Sequence, residues 1–236
     1  MIFPELCGAV SHLLPKIHDH QFNKNLCLGT LPKKIFRFYL EQDALYLSDF
    51  SRALMLTSNR LSTDKHITQF KRLSHEILDT ERNLHFKYLG ELRSPGLFGA
   101  RNISLEKISV VADYTQHLLR TASDSPVEEA VASFIPCFWI YGDLGKKMLS
   151  MPNYNASNPY HAWISSYSNN QFTSAGKSIV ETAEELVSTI SCAVKKNNVV
   201  SAFVKSTEYE LLFLNHISEK MEDANALQRE HQFKAR

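Results

Sequence analysis

Apolar residues recur every three or four positions through most of this 236-residue chain, a spacing that is typical of amphipathic α-helices. Only eight glycines and eight prolines interrupt the pattern. The sequence therefore predicts an all-α fold. The predicted helices span residues 4–20, 33–58, 64–90, 104–122, 126–151, 157–171, 174–197 and 200–229.

The predicted connections between these helices are short and contain residues that favour turns. They lie at 29–32, 94–96, 123–126, 152–153 and 197–198. Pro126 followed by Glu128 and Glu129 indicates the start of a helix, since proline fits the first turn and acids favour the positive end of the helix dipole. No repeat, low-complexity tract or linker divides the chain. We expect residues 1–236 to form a single-domain helical bundle.

Two predicted helices each place a carboxylate within the apolar stripe. The inward positions of the first are Phe36, Tyr39, Asp43, Tyr46 or Leu47, Phe50 and Leu54, and those of the second are Phe203, Thr207, Glu210, Leu214 and Ile217. An ionised carboxylate that loses water without gaining a partner is costly, so Asp43 and Glu210 indicate either ion pairs or a functional site.

A cysteine lies in the apolar and aromatic stretch 133–145. Cys137 shares a helix face with Tyr141, one turn later. A lone cysteine in such a stretch is more often a small buried hydrophobe, but two buried acids elsewhere favour a site. Pro136 predicts a kink near Ala132, which serves either packing alone or the aiming of the thiol into a cavity.

Charge and cysteine usage exclude several functional classes. A formal net charge of +1 gives no support for binding nucleic acid or an anionic membrane. The sequence contains neither an apolar run of transmembrane length nor a secretory leader, so we expect a cytoplasmic protein. The cysteines at 7, 27, 137 and 192 lack the spacing of a zinc site and the density of a disulfide scaffold, which predicts free thiols.

Several short motifs, taken together and in order, resemble the TenA or thiaminase II family. The first block runs from Phe22 through residues 29–32 to Phe36-x-x-Tyr39-Leu40-x-Gln42-Asp43-x-x-Tyr46-Leu47-x-x-Phe50. The later motifs are Glu81-x-x-Leu84-His85, Tyr114 with Leu118, Pro136-Cys137-x-x-x-Tyr141, Tyr160-x-x-Trp163-Ile164-x-x-Tyr167-x-x-x-x-Phe172 and Glu210-x-x-Phe213.

This resemblance implies a haem-oxygenase-like fold and an enzyme of thiamine salvage. The implied reaction is hydrolysis of 4-amino-5-aminomethyl-2-methylpyrimidine, or of thiamine, to the 5-hydroxymethyl pyrimidine. It implies no cofactor and no metal ligand, and the family precedent is a homotetramer.

The resemblance also implies a role for each site residue. Cys137 would be the nucleophile, activated by a hydrogen bond from Tyr141, and Glu210 would protonate the leaving group and then handle the proton of water. Asp43 would bind the amino and nitrogen edge of the ring. Tyr46, Tyr114 and Tyr167 would line the pocket. Two alternatives stay open here: Tyr46 as ordinary core, and Tyr160 in place of Tyr167.

Two other functions remain compatible with the sequence. The same fold hosts metal-dependent oxidases, and the pair Glu81 and His85 has the spacing of two metal ligands on one helix, although such a pair is more often structural. A non-catalytic interaction protein is the second alternative. The combination of Asp43, Cys137 and Glu210 argues against it, since a scaffold does not need buried acids around a thiol.

Overall fold

The computed structural model describes the backbone of residues 1–90 and 106–234, and their side chains except at 80–87, 89–90 and 222–234. Every regular element within these ranges is a helix, which confirms the all-α prediction. The helices are α1 (Phe3–Ala9), α2 (Leu14–His18), α3 (Gln21–Leu28), α4 (Lys33–Ser58), α5 (Asp64–Gly90), α6 (Ser109–Asp124), α7 (Val127–Leu149), α8 (His161–Ser168), α9 (Asn170–Ser188) and α10 (Ala193–Lys234).

The N-terminal prediction of one helix over 4–20 was wrong. The segment divides into α1 and α2, and α3 follows where no helix was predicted. Pro15 lies in the first turn of α2, where its missing N–H costs least, and it therefore starts a new helix. Gly29 ends α3 with a φ of 71°, a left-handed conformation that glycine adopts without steric cost.

Two predicted boundaries in the C-terminal half were also wrong. The helix predicted over 157–171 ends at Ser168, because Asn169 accepts a 2.8 Å hydrogen bond from the Phe172 N–H and caps α9. The break predicted at 197–198 lies instead between α9 and α10, and α10 passes through both asparagines. An asparagine costs a helix less than about 1 kcal/mol, which the buried Val199 and Phe203 on the same helix outweigh.

Helix α7 is central to the bundle. It packs against α8 and α9 on one side and α10 on another, while α4 packs against α5 and α6. The helix continues through Pro136. At Gly145 a Cβ atom would lie 3.0 Å from both the Ile164 carbonyl oxygen and the Ser168 nitrogen. The backbones of α7 and α8 are therefore in close contact where the two helices cross. This close approach places Tyr167 beside Tyr141, with ring centroids 5.2 Å apart.

All four cysteines are free thiols, as predicted. Cys27 and Cys137 are buried, whereas Cys192 is exposed. The buried pair lies in different parts of the bundle: Cys27 Sγ contacts Met151 Sδ at 3.4 Å near the C-terminal end of α7, whereas Cys137 lies in the middle of that helix.

None of the helices in the described part of the chain is both long and apolar enough to cross a membrane.

Candidate active site

Five of the seven predicted site residues line one cleft, the front cavity, between α4, α5, α7, α8 and α9. They are Asp43, Tyr46, Cys137, Tyr141 and Tyr167. The cleft, including its open mouth, has about 720 Å³ of space that protein atoms do not occupy. Apolar side chains form much of its remaining wall, namely Leu47, Leu73, Ile77, Phe138, Phe172 and Ala175. A flat heterocycle would be enclosed mainly by apolar surface with a few directed polar groups.

The other two predicted residues, Tyr114 and Glu210, line a smaller rear cavity of about 270 Å³. Asp43, Tyr46 and Tyr141 line this cavity as well as the front one, so these three side chains form a shared wall. The thiol thus lies on the front side of the wall and the Glu210 carboxylate on the rear side. All seven residues, drawn from five helices, converge on this wall.

Glu210 is a buried carboxyl group with a raised pKa. Only 3% of the residue is exposed. Burial raises its pKa from 4.5 to about 7, against the opposing effect of hydrogen bonds from the Tyr114 and Tyr141 hydroxyls. The Tyr114 hydroxyl donates to Oε1 at 2.9 Å. A carboxyl group with a pKa near neutrality can both accept and return a proton.

The thiol of Cys137 is neutral in the resting site. Burial raises its pKa well above 9.0, and the negative charges of Glu210 and Asp43 raise it further. The phenol that opposes this rise is Tyr46. The sequence predicts that role for Tyr141, whereas in the structure the Tyr141 hydroxyl faces Glu210 and receives a long hydrogen bond of 3.5 Å from Tyr39. Cys137 and Tyr141 share a face of α7 because they lie one turn apart, but the long tyrosine side chain extends away from the sulfur to Glu210 on α10.

Tyr46 has the one phenol in the shared wall that lacks a hydrogen-bond partner in the described part of the chain. Its hydroxyl is buried beside the Cys137 thiol and the Tyr114 hydroxyl, but with neither does it form a hydrogen bond of good geometry. Its ring lies 4.9 Å from that of Tyr114. Tyr46 belongs to the buried core and also lines both cavities. An orphaned polar atom of this kind calls for an explanation beyond packing.

Asp43 projects from α4 into both cavities and is 7% exposed. Its charge raises the pKa of Tyr39, Tyr141 and Cys137, which shows that its field reaches both sides of the shared wall. The prediction of which side chains of α4 point into the core is confirmed, since Phe36, Tyr39, Tyr46 and Phe50 are also buried. An ionised carboxylate that is buried this deeply requires polar or cationic neighbours, because its burial without them costs too much free energy.

Of the two candidates for the later pocket tyrosine, Tyr167 lines the front cavity. Tyr160 instead supports the fold, because its hydroxyl donates a 2.5 Å hydrogen bond to the Leu31 carbonyl and its ring packs 4.5 Å from that of Phe36. Trp163, which is 1% exposed, packs against Tyr39 and Tyr141.

One residue beyond those predicted supports the site from outside the cavities, and another lines the front cavity. Gln42 clamps the segment before α6, because its amide donates to the Glu106 carbonyl at 3.1 Å and accepts from the Ile108 N–H at 3.0 Å. Its place in the motif beside Asp43 was the only sequence signal for this role. Glu76 lines the front cavity on α5, and its partly exposed position carried no signal that could have found it.

Nowhere among the described side chains do three or more His, Cys, Asp or Glu residues come together as potential metal ligands. The predicted pair Glu81 and His85 lies on α5, but its side chains are outside the described residues. A metal role for that pair therefore remains a prediction from the sequence.

Comparison with known proteins finds one matching family profile and several relatives. The profile of the TENA/THI-4/PQQC family matches residues 9–220. The chain is 26% identical over 168 residues to the aminopyrimidine aminohydrolase of Halalkalibacterium halodurans, covering 71% of this chain and 74% of that protein. It is 26% identical over 200 residues to the aminopyrimidine aminohydrolase of Helicobacter pylori, covering 83% and 88% of the two chains.

Among solved structures, the chain resembles the TenA homologue from P. horikoshii OT3. The TM-score is 0.80 at 25% identity, and the match covers 92% of this chain and 98% of the other. The predicted fold class is thereby confirmed.

Proposed function

We propose that this chain, which belongs to the TENA/THI-4/PQQC family, is an aminopyrimidine aminohydrolase of the thiaminase II type. Its substrate would be 4-amino-5-aminomethyl-2-methylpyrimidine or thiamine, and its pyrimidine product would be the 5-hydroxymethyl compound, returned to thiamine synthesis. The names of its relatives support the class of reaction. The observation that carries the proposal is the convergence of a buried thiol with a carboxyl group whose pKa is about 7.

Substrate binding follows from the charges and surfaces of the shared wall. Asp43 accepts hydrogen bonds from the amino group and the protonated ring nitrogen of the pyrimidine. Tyr167 and Phe172 supply flat apolar surface in the front cavity. The two acids favour a cationic ring over a neutral one, because each lies within range of the bound heterocycle.

Catalysis begins when the Cys137 thiol loses its proton to the Glu210 carboxylate. The thiolate adds to the ring carbon next to the substituted one, and the resulting loss of aromaticity weakens the bond to the leaving group. Glu210 returns the proton to the departing amine. Water then adds to the exocyclic methylene, Glu210 accepts its proton, and the sulfur leaves to restore the aromatic ring. The number of protons on the enzyme is the same at the end as at the start.

Three further expectations belong to this proposal. Residues 1–236 act as one TenA-like domain, the protein works in the cytoplasm, and it assembles as a homotetramer. Sedimentation of the purified protein measures the assembly directly, and a monomer at working concentration contradicts it.

The test is a hydrolysis assay with the aminomethyl pyrimidine and with thiamine, without added metal and with a chelator present. We expect the hydroxymethyl pyrimidine to form with at least the first substrate, and Cys137→Ala to abolish its formation. Cys27→Ala is the matched control, since Cys27 is equally buried but lies beside Met151. Metal-dependent activity that survives Cys137→Ala would favour the oxidase alternative instead.

A further inference from the structure

The hydroxyl of Tyr46 is an exception among the phenols of the site. Tyr46 is 7% exposed, and its oxygen has no hydrogen-bond partner in the part of the chain that the structure describes. A buried donor without a partner costs about 1–3 kcal/mol, so a group of this kind in a native protein calls for an explanation. The explanation lies in what surrounds the hydroxyl.

The neighbouring phenols already use their protons. Tyr114 donates its proton to Glu210 at 2.9 Å. Tyr141 also directs its hydroxyl to Glu210, and Tyr39 donates to Tyr141 at 3.5 Å. These three phenols therefore serve the rear side of the shared wall. The Tyr46 hydroxyl lies near both the Tyr114 hydroxyl and the sulfur of Cys137 in the front cavity, but it makes no hydrogen bond of good geometry to either.

We propose that Tyr46 is a positioning residue whose hydroxyl is reserved for the thiolate form of Cys137. The inference rests on the proposed function, in which Cys137 is the nucleophile. In the resting thiol the hydroxyl is idle, and after ionisation it donates an O–H···S⁻ hydrogen bond. The S–H bond breaks, the proton goes to the Glu210 carboxylate, and Tyr46 keeps its own proton throughout.

The physical basis is the difference between the two forms of sulfur as acceptors. A neutral thiol is a weak acceptor, whereas a hydrogen bond to an ionised group is roughly twice as strong as one between neutral groups. A donor that stabilises only the thiolate lowers the pKa of the thiol, and this is the direction in which Tyr46 acts on Cys137. The unpaired hydroxyl destabilises the resting site, and its hydrogen bond to the thiolate offsets this cost once the nucleophile has formed.

Such a donor is needed because the other groups around Cys137 oppose ionisation. The carboxylates of Asp43 and Glu210 raise the thiol pKa, as does burial. Transfer of the proton to Glu210 removes one of those charges, so the total charge of the site does not change. Besides Cys137 itself, the charged and titratable groups of the two cavities are Asp43, Tyr46, Glu76, Tyr114, Tyr141, Tyr167 and Glu210.

The test measures the reactivity of Cys137 towards iodoacetamide as a function of pH, in the full chain and without substrate. Peptide mass spectrometry resolves the four cysteines. We expect Tyr46→Phe to shift the pH profile of the Cys137 alkylation rate, called here the Cys137 profile, to higher pH by at least about one unit. This shift slows alkylation about tenfold at any pH below the thiol pKa. Tyr46→3-fluorotyrosine, which carries a more acidic hydroxyl and is a stronger donor, shifts the profile in the opposite direction.

Two controls separate this role from a structural one. Tyr167→Phe removes a hydroxyl from the same cavity and leaves the Cys137 profile in place. Cys27, buried elsewhere, reports in every sample whether the bundle has opened, and its rate stays constant.

A Cys137 profile that Tyr46→Phe and Tyr46→3-fluorotyrosine both leave in place overturns the proposal. An unchanged profile together with a raised KM does so too, since the hydroxyl would then serve the substrate. Because alkylation needs no substrate, a displaced profile in a protein that fails the hydrolysis assay refutes only the proposed reaction.

Discussion

The Tyr114 hydroxyl donates a 2.9 Å hydrogen bond to Oε1 of Glu210 and so joins α6 to α10 inside the core. This contact and the hydrogen bond from Tyr141 stabilise the ionised carboxylate, while burial destabilises it. Burial has the larger effect, which leaves the pKa at about 7. The acid–base capacity of the site therefore depends more on packing than on hydrogen bonding.

The raised pKa of Glu210 predicts a pH-dependent effect on stability. Between pH 4.5 and about 7 the folded protein holds a proton that the unfolded chain has lost, so this group lowers the free energy of unfolding as pH rises through that window. A rise of this size corresponds to roughly 3 kcal/mol. Glu210→Gln removes the titration, and we expect its stability relative to the native protein to increase from pH 5 to pH 8.

Urea unfolding at several pH values measures this difference. The glutamine amide keeps an oxygen that accepts from Tyr114, and all other groups titrate in both proteins and cancel in the comparison. A stability difference that does not vary with pH contradicts the raised pKa. The same variant is expected to lose about 10²-fold or more in kcat, because general acid–base catalysis is removed.

Asp43→Asn tests the proposed contact with the ring edge. Losing a charged acceptor for a protonated ring is expected to raise KM about tenfold to a hundredfold, with a smaller effect on kcat. Steady-state kinetics with the aminomethyl pyrimidine measure both constants. Asp143→Asn is the control, since Asp143 is half exposed and pairs with His18 at 3.1 Å on the surface. A KM that responds equally to both substitutions excludes a specific role for Asp43.

Gly145→Ala tests the close crossing of α7 and α8. The added methyl group would lie within 3.2 Å of backbone atoms of Ile164, Tyr167 and Ser168, which cannot rotate away. We expect a loss of about 1–3 kcal/mol in stability and a raised KM, because Tyr167 moves with α8.

Gly142→Ala is the matched control on the same helix. There the methyl group would make ordinary contacts of 3.7 Å or more, to Thr173 and Phe172. The higher helix propensity of alanine predicts unchanged or slightly increased stability. Equal thermal shifts in Gly142→Ala and Gly145→Ala would show that the crossing imposes no steric limit.

Gln42→Leu tests the clamp on the segment that precedes α6. The substitution leaves the Ile108 N–H and the Glu106 carbonyl without the amide, and we expect a loss of about 2 kcal/mol in stability. Activity should fall as well, because α6 carries Tyr114. Gln69→Leu removes a similar amide that bonds Ser178 and Thr182 between α5 and α9. It is expected to lower stability without affecting Tyr114, so an equal loss of activity in both variants would argue against a specific effect of the clamp.

Residue periodicity was sufficient to place the key side chains inside the bundle. Asp43 and Glu210 lie where the apolar stripes of their helices required a core residue, and both are buried. The phase of a helix is a local property, since 3.6 residues complete a turn wherever the helix packs. The same local information predicted α4, α5 and α7 to within two residues at each end.

The relations between helices needed the packed structure. Periodicity could not show that Tyr46 rather than Tyr141 faces the sulfur, or that Tyr167 rather than Tyr160 lines the cavity. Nor could it divide the site into a front cavity with the thiol and a rear cavity with the acid. These relations join residues far apart along the chain. They depend on how closely backbones approach, as at Gly145, and on where a cap such as Asn169 ends one helix and starts the next.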